Sequence, residues 1–245
     1  MSDRRELLLA IDTSAGTSVA VVEGDYREPR EVASSATAAS TVTAGAHHPA
    51  AVTEATPHRA VVLSEANGFD TMKHAEVIGR LIEQALAEAS IRPQQLTGVV
   101  AGMGPGPFTG LRVGIAAANA FALGLGLPVL RVVSHDAIAF AAQGAGRTGE
   151  VLVVSDARRR EVYWSLFDLS GQTPVRIDGP GLAKPDALPH VHAATLDAAH
   201  VSAGALGQVA LEMLRTGAPF AADQALYLRS PDVTLSTGVK RVTQR

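Results

Sequence analysis

The sequence contains no cysteine, which excludes disulfides and thiolate metal sites and suits a reducing compartment. Aromatic residues are also scarce, 4% of the chain against 47% hydrophobic residues overall. The core must therefore be built mostly from Ala, Val and Leu, and its helices can approach one another closely. Nor is there an excess of positive charge. The formal balance is −3, so no global field draws the chain to nucleic acid or anionic lipid, and any RNA contact has to be local or shared with a partner. The first apolar run, Leu7–Ile11, is too short for a secretory leader and is ended by Asp12, so it reads as a first strand. One run approaches membrane length, Val113–Leu130, but it carries Asn119 and Pro128 and is better explained as a buried helix followed by a strand. At 245 residues the chain holds one large domain or two small ones with ample core.

Catalytic signatures are missing as well. There is no Gly-x-Ser-x-Gly elbow, and without cysteine no thiol nucleophile. The most informative stretch that is present is residues 102–114, a glycine-proline loop between a buried strand at Thr97–Ala101 and a helix expected from Thr109, whose hydroxyl suits an N-cap. A Walker loop needs Lys after its last glycine, and Gly110 is followed by Leu111. The dinucleotide spacing misses too, and Pro105 and Pro107 remove two N–H donors that a phosphate cradle would use.

Along the chain, Leu7–Ile11 and Ser18–Glu23 read as a hairpin with a polar tip, Asp12–Thr17. Weak strand signals follow at Glu31–Ser35 and His58–Ser64, around a low-complexity excursion at residues 36–57. An amphipathic helix spans Asp70–Ala89, with Asp70 or Thr71 as its cap. Then come the strand Thr97–Ala101, a helix Thr109–Leu125, a strand Val129–Val133 and a helix Ser134–Gln143. Val151–Asp156 and Val162–Phe167 then repeat the opening pattern of strand, Asp, turn and strand, so that Asp156 answers Asp12. A duplicated α/β unit is implied, with two polar turns facing a shared cleft. After Pro174 the signals weaken to a helix at Ser202–Thr216 and a tail containing Tyr227.

Only the first turn is equipped to lie near a nucleotide. Asp12, Thr13, Ser14 and Gly16 offer a carboxylate, hydroxyls and a flexible backbone, whereas Arg158, Arg159 and Arg160 form a turn without glycine. Those arginines, beside Tyr163 and Trp164, suit an RNA or phosphate contact or simply a solvated turn, and one of the two aromatics should be core. His74 would need a second imidazole at position 78 to hold a metal, and Ile78 stands there, so packing or partner contact is expected instead. His47 and His48 lie in the low-complexity stretch and read as loop. Gly110, Gly114, Ala118, Ala122 and Gly126 recur every four residues, a smooth stripe for another helix of this chain or of a partner.

The segments Ala10–Ser14, Gly104–Arg112 with Gly114 and Ile115, Ser155–Arg158 with Glu161–Trp164, and Tyr227–Arg229 together resemble the TsaB (YeaZ) family. That is the bacterial subunit required to make threonylcarbamoyladenosine in tRNA. The resemblance implies an actin-like ATPase (ASKHA) fold of two tandem RNase H-like βββαβα halves, at 1–108 and 109–245, with a C-terminal tail packing back on the first. It implies a cytoplasmic, non-catalytic subunit that pairs with a TsaD-like transferase and a TsaE-like ATPase, reaches tRNA through the complex, and forms a homodimer when alone. No cofactor of its own and no metal is expected, and ATP or ADP would sit at the interface shared with the partner. The helices at 70–89 and 109–125 would supply the partner surface, through His74, Val77, Ile78, Leu81, Arg112, Gly114, Ile115, Ala118 and Ala122. Two departures stand out: the stretch 28–68 is long, and 185–200 is short. An active small-molecule kinase or ATPase of the same fold is the competing reading, and the glycine-free arginine turn counts against it. A metallopeptidase, suggested by the old glycoprotease naming of relatives, fails for lack of metal ligands.

Overall fold

A computed structural model describes residues 4–26, 60–70 and 72–229. The strand candidate Glu31–Ser35, the excursion at 36–57 with His47 and His48, and the first residues of the candidate at His58 lie outside them. Strand β1 (Arg4–Asp12) pairs antiparallel with β2 (Thr17–Tyr26), and β2 with β3 (Val61–Gly68). Helix α1 (His74–Glu88) leads to β4 (Gly98–Gly102), helix α2 (Phe108–Leu125) and β5 (Val129–Val132), giving a sheet of order β3-β2-β1-β4-β5. Helix α3 (Ser134–Gly144) then precedes β6 (Glu150–Asp156), β7 (Val162–Asp168), β8 (Val175–Ala183) and β9 (Ala194–Asp197), in the order β8-β7-β6-β9, and α4 (Ala203–Thr216) follows.

The two sheets share one plan. In each, an antiparallel hairpin with Asp at the end of its first strand is extended by a third strand on one side and a parallel strand on the other. The first sheet is covered on both faces, which is why Leu7–Ile11 is apolar without alternation. Leu7, Leu9 and Ile11 pack towards α1 and α2, while Leu8 and Ala10 point the other way into a core shared with α3, α4 and the second sheet. Small residues set the spacing of that second layer. A Cβ on Gly207 of α4 would come within 2.6 Å of Val22, so α4 lies close against β2.

Several boundaries differ from expectation, each for a local reason. Thr109 is not the cap of α2. Pro107, with φ −59° and ψ 136°, turns the chain into the helix one residue earlier, and no side chain caps it. Asp70 does not cap α1 either, because its carboxylate accepts from the Met72 N–H at 2.9 Å and Lys73 takes the N-cap position. The first sheet continues through α2 and β5 to Val132, past the expected division at 108, because β5 hydrogen-bonds in parallel to β4. In the second sheet, a single 3₁₀ turn at Pro185–Ala187 stands where a βββαβα half would place a helix. The connection there is too short for one. From Ala221 to Tyr227 the chain returns to the first sheet, where Ala221 N–H donates to Arg131 and Leu226 N–H to Met103.

Candidate functional site

The two hairpin turns meet the glycine-proline loop at the ends of β1, β4 and β6. Asp12, 1% exposed, is turned inward rather than towards the cleft. Its Oδ1 accepts from the Ser14 N–H at 2.8 Å and the Ser14 hydroxyl at 2.5 Å, and its Oδ2 from the Ser134 hydroxyl at 2.5 Å. Ser134 Oγ in turn accepts from the Gly104 N–H at 3.1 Å, tying the carboxylate to the loop. Burial, partly offset by these hydrogen bonds, pushes the Asp12 carboxyl above its ordinary range. The neighbouring strand leaves it no spare room. A Cβ on Gly102 would sit 1.9 Å from Asp12 Oδ2.

The loop itself closes over the first turn. Gly106 lies against Ser14 so tightly that an added Cβ would be 2.8 Å from its Cα, and Tyr163 reaches across from β7 to donate its hydroxyl to the Gly106 carbonyl at 3.2 Å. Thr13 donates to the Gly110 carbonyl at 2.7 Å, and Thr17 bonds His74 Nδ1 at 2.8 Å. What remains between the hairpins is a cavity of about 230 Å³ lined by Ser14, Ala15, His74, Pro107, Asp156 and Arg158, among others. That is below the usual 300–1,000 Å³ of small-molecule sites.

The small-residue stripe of α2 faces this machinery and the sheet. A Cβ on Gly114 would meet Thr13 Oγ1 at 2.2 Å, and one on Gly110 the Thr13 carbonyl at 2.7 Å, while Ala118 and Ala122 are buried in the core beneath α1. Of the residues expected at a partner surface, His74, Ile78, Leu81, Gly114, Ala118 and Ala122 are thus buried within this chain. Val77 and Ile115 are half-buried, and Arg112 is exposed. Gly126 is exposed beyond the helix end, in the left-handed conformation at φ 67°. The outward side of α2 is apolar nonetheless. Leu123 is 83% exposed, and Ala116 and Ala120 on the same face are exposed as well, whereas Val113, Ala117 and Phe121 are half-buried against the core. Among the described residues α2 is also the one helix long and apolar enough to span a membrane by length and composition.

Arg158, Arg159 and Arg160 all have left-handed backbones, at φ 65°, 53° and 62°, a conformation that costs a non-glycine residue about 1–2 kcal/mol. The turn is held by the Arg158 N–H donating to Asp156 Oδ1 at 2.8 Å and by Arg229, which donates to the Ala157 carbonyl at 3.0 Å and pairs with Glu161. Arg158 and Arg159 line a cavity of about 460 Å³ with Tyr163, Phe108, Tyr227 and Arg229, and Arg160 does not belong to its lining. Tyr163 is the core member of its aromatic pair, and Trp164 lies on the opposite face against Gly181. No group of three or more His, Asp or Glu arranged for a metal occurs among the described residues.

Sequence reasoning missed His135. It is fully buried at the start of α3, with Nδ1 2.8 Å from Ser165 Oγ and Nε2 2.9 Å from Ser155 Oγ, and burial pulls its pKa down to about 3. A signal lay in the two serines at 155 and 165, each set among apolar residues on one of two paired strands.

The family model described as TsaD, tRNA N6-adenosine threonylcarbamoyltransferase, matches residues 70–231. A protein of Mycobacterium leprae is 44% identical over 128 residues, which cover 52% of this chain and 33% of that protein. The Haemophilus influenzae tRNA threonylcarbamoyladenosine biosynthesis protein TsaB is 37% identical over 92 residues, 38% of this chain and 39% of that protein. The matched stretch therefore spans less than half of either relative. The solved structure of YeaZ from Pseudomonas aeruginosa superposes with a TM-score of 0.62 at 24% identity, covering 90% of this chain and 98% of that one, and so shares the fold. Two thirds of the chain's length under one family model, TsaB relatives in sequence and a YeaZ architecture converge, and the chain belongs to the threonylcarbamoyltransferase-type family as a TsaB (YeaZ) member.

Proposed function

We propose that this chain is a non-catalytic partner subunit in the formation of threonylcarbamoyladenosine in tRNA, binding a TsaD-like transferase and acting with a TsaE-like ATPase. The observation that carries this reading is the state of Asp12. A carboxylate at the end of β1 that handled a nucleotide or its metal would have to face the cleft, and here it is sealed under the loop with both oxygens used by Ser14 and Ser134. The narrow cavity beside it and the glycine-free arginine turn support the same conclusion. The apolar outward side of α2 supports docking. An exposed Leu123 on the same face as the exposed Ala116 and Ala120 is the surface a helix of a related subunit would cover. Any ATP or ADP then belongs to the interface, and tRNA is reached through the assembled complex.

Co-expression with a TsaD-like paralogue tests this. The expected result is a stable complex from the pair, with no ATP turnover by this chain alone; robust turnover by the pure chain that Asp12→Ala abolishes would revive the kinase reading.

A further inference from the structure

A second cavity lies away from the hairpin cleft, between α3, the β7–β8 edge and α4, and the proposed role does not use it. It measures about 520 Å³, within the range of small-molecule sites. Phe140, Phe167, Val175, Val209 and Met213 give it apolar walls. Two charged side chains interrupt them. Asp136, one helical turn before Phe140 on α3, presents a buried Oδ1 with no hydrogen-bond partner. Arg176 of β8 stands beside it, with Nε 3.3 Å from that oxygen. Among the described residues Asp136 is the only ion-pair partner of Arg176, so the two terminal nitrogens of its guanidinium remain for another acceptor. The third charge on the lining, Glu212, is already held by Arg215 at its Nε and Nη2.

Asp136 Oδ1 thus has the Arg176 charge beside it but no hydrogen bond, and a buried carboxylate oxygen left so costs free energy unless a donor fills the place. An ammonium is a fitting donor for it, since it brings three hydrogens and a complementary charge. A guanidinium with its terminal nitrogens unengaged suits a carboxylate, which it can grip through two parallel hydrogen bonds. Set side by side in an apolar cavity, the two groups complement a zwitterion attached to an apolar body. We propose that this cavity binds a free apolar α-amino acid, its ammonium on Asp136, its carboxylate on Arg176 and its side chain among Phe140, Val209 and Met213.

Titration calorimetry on the full chain tests the assignment with L-leucine and L-phenylalanine as probes, and with isoamylamine as the analogue lacking a carboxylate. The expected result is binding of the amino acids, with isoamylamine weaker by about tenfold or more. Asp136→Asn and Arg176→Met should each weaken L-leucine by a similar factor, and Val209→Trp, which fills the cavity from α4, should abolish it. Melting curves of the unliganded variants check their folding. Should Asp136→Asn unfold the chain, Arg176→Met, on the sheet edge, carries the charge test. Absence of binding at millimolar amino acid would overturn the proposal and leave the ion pair with Arg176 as the role of Asp136. Equal affinity for isoamylamine and L-leucine, or binding unchanged in Val209→Trp, would overturn it as well.

Discussion

Asp12 shows how a residue type that suggests ligand chemistry can be spent on the fold. The sequence placed it correctly at the end of a strand in a polar turn, but not which way it faces. That direction depends on Ser134, 122 positions away, and on the absence of a side chain at Gly102. Replacing Asp12 with Ala strands two hydroxyls and the Ser14 N–H, so the variant should lose about 2–4 kcal/mol in chemical denaturation. An unchanged midpoint would show that the network is dispensable. A second expectation concerns pH. His135 has its pKa pulled down to about 3 by burial, so the folded state stays neutral while the unfolded state takes a proton below about 6.5. Its contribution to stability therefore falls as pH drops from about 6.5 towards 3, at a limiting slope of about 1.4 kcal/mol per pH unit. Asp136, pushed up to about 6 by burial, has the opposite sign, since the folded state keeps its proton to higher pH than the unfolded state and loses stability as pH rises from about 3.8 to 6. The two slopes oppose each other in that window. Asp136→Asn should therefore unmask the histidine, giving a protein whose denaturation midpoint falls on acidification from pH 6 to 4 more steeply than the parent's. Parallel pH profiles of the two proteins would show that the groups are not buried as described.

At the scale of elements, periodicity was enough to find the helices and most strands, because buried faces impose a regular spacing on the sequence. Caps were less legible: Pro107 and Lys73 hold the positions expected of Thr109 and Asp70, since backbone geometry and a local turn outweighed side-chain preference. The small-residue stripe of α2 was recognised, but a stripe does not say whether the helix it meets is its own or a partner's. Here it lies against Thr13 and the core beneath α1. Ala118→Trp should therefore destabilise the monomer, because overpacking a filled core costs about 1–3 kcal/mol or more. Leu123→Asp, on the exposed side, should leave the melting temperature unchanged while weakening association with the TsaD-like partner by roughly tenfold or more. A stable Ala118→Trp monomer would place the stripe at the surface. An Asp at 123 with no effect on association would move the interface elsewhere.

Across the whole molecule, the repeated hairpin revealed the duplication, and the second sheet does follow the order of the first without its last strand. What the repeat could not reveal is how unequal the two copies have become. The second sheet has a 3₁₀ turn where the expected helix would lie, and its outer side is covered by a small cluster around Leu152 and Leu166. The helices α3 and α4 serve both sheets from between them, which makes the halves one packed body instead of two lobes around an open cleft. This packing supports the proposed role, which rests first on the buried state of Asp12. The most direct measurement is threonylcarbamoyladenosine formation on tRNA, reconstituted from the TsaD-like and TsaE-like proteins with a threonylcarbamoyl donor, with and without this chain. No product is expected from this chain alone, product only when it completes the set, and loss of that product with Leu123→Asp. Product formed by the isolated chain, or a reaction that proceeds equally well without it, would contradict the account.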